Sequence, residues 1–60
     1  MFWMVFFVSP SGRITRTGEL SSYDVALDAS STGIPGSFFQ ISRFGPDPGQ
    51  QDLILEGYVA

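Results

Sequence analysis

The chain has 60 residues, 43% of them apolar and 15% aromatic, a net charge of −3, and neither cysteine nor histidine. Disulfides and zinc sites of the Cys/His kind are thereby excluded, as is any catalysis that turns on a thiol or an imidazole. Arg13, Arg16 and Arg43 are the only basic side chains, a poor endowment for neutralising phosphate backbones.

A chain of this length forms one small domain, residues 1–60. Such a domain buries only about 60% of its unfolded surface, and its core supplies roughly 3–5 kcal/mol on its own. With disulfides and zinc removed, association with another subunit is the remaining common source of stability.

Met1 to Val8 is apolar at every position. In a strand, alternate side chains face opposite ways, so Phe2, Met4, Phe6 and Val8 form one apolar face and Trp3, Val5 and Phe7 the other. The run lacks a basic leader, is too short to span a bilayer as a helix, and ends in a turn rather than a cleavage site. It is therefore expected to belong to a soluble, cytoplasmic domain.

Ser9-Pro10-Ser11-Gly12 supplies proline for a type I turn and glycine for the left-handed residue after it, the chemistry of a hairpin. A second strand follows over about Arg13 to Leu20, polar enough to lie at a sheet edge, with Gly18 marking a bulge or the strand's end. Ser21 to Ser31 is the single expected helix, with Ser21 as N-cap, Asp24 in the first turn, and Val25, Ala26, Leu27 and Ala29 as a small apolar stripe. Gly33 fits a left-handed C′ position, and Pro35 prevents continuation.

Ser37 to Phe44 reads as a third strand, with Phe39 and Ile41 on one face and Phe38, Gln40, Ser42 and Phe44 on the other. The glycines and prolines of Gly45 to Gln51 make a loop. Asp52 to Val59 reads as a fourth strand, with Leu53, Leu55, Gly57 and Val59 sharing a face. The resulting fold class is α+β, in the order ββαββ: a four-stranded antiparallel sheet with one helix packed on one face. A right-handed crossover gives the spatial order 2-1-3-4, with 2-1-4-3 as the alternative.

Side chains for catalysis are sparse. Ser21, Ser22, Tyr23 and Asp24 are accounted for by helix capping. Asp24 and Asp28, one turn apart, lack the six to eight oxygens and the loop spacing of a calcium site. Asp47, Asp52 and Glu56 read as surface charge. The expectation is no enzyme, no cofactor and no metal.

Binding is the stronger expectation. A helix covers one sheet face only, so aromatics on the other need a cover from outside the chain. Phe6, Phe39, Leu53 and Leu55 are assigned to the core; Trp3, Val5, Phe7, Phe38, Phe44 and Tyr58, with Arg16 and Arg43, form the candidate interface. Interfaces enrich aromatics, methionine and arginine and deplete lysine, and this chain has no lysine. The expected role is a small regulatory or inhibitory protein-binding module, homodimeric through its helix-free face. Its loops or polar edge strand would be left for a protein partner. The alternative is a single-stranded nucleic-acid binder that stacks bases on Trp3, Phe7, Phe38, Phe44 and Tyr58 beside Arg13 or Arg43. Negative net charge favours the dimer.

Overall fold

A computed structural model describes every residue from Met1 to Ala60. Strand β1 (Phe2–Val8) is followed by β2 (Ile14–Arg16), helix α1 (Tyr23–Ser30), β3 (Phe38–Phe44) and β4 (Gln51–Tyr58). The four strands form one antiparallel sheet in the order β2-β1-β3-β4. Strand β1, apolar on both sides, lies inside the sheet as its composition requires.

The first hairpin turns as its residues dictate. Gly12 takes φ 87°, its N–H donates to the Ser9 carbonyl at 2.8 Å, and the Ser9 N–H donates to the Arg13 carbonyl at 2.9 Å. A side chain at that left-handed φ would be strained, which is why glycine follows the turn.

Strand β2 is shorter than its polar alternation suggests, but its pairing with β1 resumes at Leu20, which bridges Trp3. Phe6 pairs with Arg16, whereas Trp3 pairs with Leu20, so one extra residue is accommodated in between. At the irregularity, Thr17 turns its carbonyl toward the Arg16 guanidinium and offers its hydroxyl to the Val5 N–H instead. Gly18, in open space, sits within this bulge.

Helix α1 starts one residue later than its sequence suggests. Ser22, not Ser21, is the N-cap: it is extended at φ −153°, and its side chain accepts from the Val25 N–H at 3.3 Å. Asp24 stands in the first turn, where the helix dipole favours a carboxylate. The C-terminus is closed by hydroxyls. Ser30, Ser31 and Thr32 donate to the carbonyls of Leu27, Asp28 and Ala29 at 2.6, 2.7 and 2.7 Å. The chain therefore has no need of a left-handed cap at Gly33, and the positive φ values belong to Gly12, Gly36 and Gly49 alone.

The core lies between helix and sheet. Val5, Ala26 and Ile41 are fully buried together, with Trp3, Phe7, Leu20, Ala29 and Phe39 packed around them. Alanine at position 26 brings the helix backbone close to the sheet, so one short helix covers the middle strands. Strand β4, at the sheet edge, lies outside its contacts.

Candidate functional site: the helix-free sheet face

Register decides which side chains share a face. Phe2 pairs with Phe44, Met4 with Ser42, Phe6 with Gln40 and Val8 with Phe38, so even-numbered residues of β1 and β3 stand together. Odd-numbered Trp3, Val5 and Phe7 stand with Arg43, Ile41 and Phe39, under the helix. Trp3 packs its ring 5.5 Å from that of Tyr23 on α1.

The candidate interface set is therefore divided between the two faces. Trp3, Val5 and Phe7 belong to the covered side, and Val5 is the centre of the core. Phe38, Phe44 and Tyr58 lie on the helix-free side, as does Arg16, opposite Phe6. Arg43 is on the helix side, where its Nη2 meets Asp52 Oδ2 at 3.1 Å. Phe6, assigned to the core from its sequence, is on the helix-free face instead. Leu53 joins it there, beside Ser42, because the pairing of β3 with β4 shifts by one residue between Ile41 and Ser42. Leu55, opposite Ile41, stays on the helix side but is 38% exposed at the edge strand, so neither leucine joins the core assigned to it. That bulge breaks the alternation expected to keep Leu53 and Leu55 together.

The helix-free face is organised in rows across the sheet. Ile14, Val8, Phe38 and Tyr58 form the first, and all are apolar or aromatic. Ile14 and Tyr58 are each 74% exposed, while the Phe38 and Tyr58 rings meet edge-on at 5.5 Å. Arg16, Phe6, Gln40 and Glu56 form the second row. Gln40 Nε2 donates to Glu56 Oε2 at 3.2 Å.

Met4, Ser42 and Leu53 come third, and Phe2, Phe44 and Gln51 last. At this end the chain seals part of its own open face. Phe2 and Phe44 stack with centroids 4.7 Å apart, and Phe6 leans to within 6.4 Å of Phe44. These rings shelter the positions between them, leaving Met4 only 7% and Ser42 only 3% exposed without any helix above them. Exposed apolar surface is thus concentrated at the opposite end, in the row that begins at Ile14, and at Leu53.

Elsewhere the surface offers less. A shallow cleft of about 250 Å³ lies on the helix side, among Phe7, Arg13, Thr15 and the segment from Thr32 to Ser37. It is smaller than most small-molecule sites and has one charged side chain, Arg13. No three acidic side chains are gathered where they would share a cation. The serine with a helix-capping role, Ser22, spends its oxygen on the Val25 N–H. No helix is long and apolar enough to cross a membrane.

Compared with protein-family models, with curated proteins and with solved structures, the chain shows no match. The chemistry of the open face is then the guide to function.

Proposed function

We propose that this chain is a cytoplasmic, non-catalytic protein-binding module of regulatory or inhibitory type, which self-associates through the helix-free face of its sheet. The observation that carries this reading is the row Ile14–Val8–Phe38–Tyr58, apolar from one sheet edge to the other, with both ends largely exposed. Contiguous apolar surface of this kind on a small domain marks an association site. The outer backbone edge of β2 and the loops remain free for a second protein. Exposed carboxylates that nowhere gather in threes, and a serine committed to capping, support a role without catalysis.

The nucleic-acid alternative draws on the same aromatics, but the cations are unfavourably placed. Arg43 is on the helix side and paired with Asp52, and Arg13 lines the cleft on that side too. Arg16 alone stands on the aromatic face, while Glu56 on the same row repels phosphate.

Sedimentation across a range of protein concentrations, run beside titration with a labelled single-stranded oligonucleotide, tests the proposal. Concentration-dependent association without oligonucleotide binding is expected. A chain that stays single at every concentration and binds the oligonucleotide in a salt-sensitive way would replace this reading with the alternative.

A further inference from the structure

The charges of the open face stand at opposite ends of one row. Arg16 is at the β2 edge and Glu56 at the β4 edge, with Phe6 and Gln40 between them. Strand spacing sets the two about 15 Å apart. They cannot neutralise one another within a chain, and the single ion pair of the molecule is Arg43 with Asp52. Arg16 donates only to the carbonyl of its neighbour Thr17. Glu56 is held toward the face by the Gln40 amide.

We propose that the occupant of this face is a second copy of the chain, related by a two-fold axis that runs parallel to the strands between β1 and β3. This inference rests on the self-association proposed above and adds its register. Rotation about such an axis reverses each row onto itself. Arg16 of each copy then faces the partner's Glu56, and Phe6 faces the partner's Gln40. In the exposed row, Ile14 meets the partner's Tyr58 and Val8 meets the partner's Phe38, apolar on apolar.

Two packed sheets lie about 10 Å apart, a gap that an arginine and a glutamate reach across together. An axis perpendicular to the strands through the charged row would instead set Arg16 on the partner's Arg16 and Glu56 on the partner's Glu56. Charge complementarity selects the parallel axis.

The face is modest in size. Three strands of seven or eight residues beside the three-residue β2 give at most roughly 25 by 15 Å, about 750 Å² over two copies and below the ~1,200 Å² of a standard stable interface. A concentration-dependent dimer is therefore expected, not a permanent one.

Charge reversal tests the register. Arg16→Glu and Glu56→Arg each place two like-charged pairs in the symmetric dimer, and each is expected to weaken its own association by about tenfold. Mixing the two variants in equal amounts restores association, because every cross-copy pair is then opposite in charge. The doubly reversed Arg16→Glu/Glu56→Arg chain is expected to associate as the original does. Both positions are exposed, and far-ultraviolet circular dichroism verifies that each variant remains folded. Association indifferent to all of these changes would refute this register while leaving self-association standing. Weakening that mixing does not rescue would refute the Arg16–Glu56 pairing in the same way. An original chain that never associates would overturn the proposed function itself, and this inference with it.

Discussion

Phe7 lies so close over Gly33 that a Cβ at that position would come within 2.7 Å of its ring. Val59 Cγ2 would be 3.1 Å away on the other side. Glycine is therefore required at this point by the approach of the post-helix segment to β1, not by backbone handedness. Gly33→Ala is expected to destabilise the fold by about 1–3 kcal/mol through overpacking, measured by urea unfolding. Adding Phe7→Leu should recover part of that loss, since a smaller side chain vacates the contested space; no recovery would place the strain elsewhere.

The Thr17 hydroxyl makes a second test. It accepts the N–H of fully buried Val5 at 3.1 Å and donates to the Gly18 carbonyl at 2.8 Å. Thr17→Val keeps the shape and removes both bonds, stranding a backbone donor beside the core. A loss of about 1–3 kcal/mol is expected, with Thr17→Ser retaining most of the original stability. Faster hydrogen exchange at the Val5 amide would localise the effect. Equal stability of the valine and serine variants would show that the hydroxyl does not support the bulge.

Arg43 and Asp52 provide a contrast. Their side chains are 44% and 52% exposed, and a surface pair of this kind contributes about 0–1 kcal/mol. Arg43→Ala is expected to change stability within that range and to leave self-association untouched, because the pair is on the helix side. A marked loss of association on this substitution would move the contact between copies to the helix side of the sheet.

Much of the architecture can be read from the residues. The two-sided apolar run of β1 requires an interior position, the Ser9–Gly12 turn sets the first hairpin, and the right-handed crossover leads to the observed strand order. The division of side chains between faces is harder to read, because β1 is apolar both ways and does not say which side the helix takes. The missing step is register. Phe2 opposite Phe44 makes even numbers on β1 share a face with even numbers on β3, so Trp3 and Phe38 cannot stand together.

Gln40 and Ser42 carry the available signal, since they flank buried Ile41 and point away from the helix, while the polar Arg43 at the strand's end stands on the helix side. The bulge opposite Ile41 and Ser42 leaves no comparable trace. In Leu53-Ile54-Leu55 an apolar run hides the point where alternation slips. Similarly, the hydroxyl run after Leu27 shows in the sequence, but its closure of the helix carbonyls depends on rotamers that composition does not specify.

Whether another copy of the chain covers the exposed row of the helix-free face is decided by sedimentation of the original protein beside an Ile14→Ser/Tyr58→Ser variant over the same concentrations. Both replaced residues are 74% exposed, so each protein is expected to fold. The original should pass from one-chain to two-chain mass as concentration rises, while the variant remains at one-chain mass throughout. Identical behaviour of the two, whether both single or both associated, would contradict self-pairing through this row.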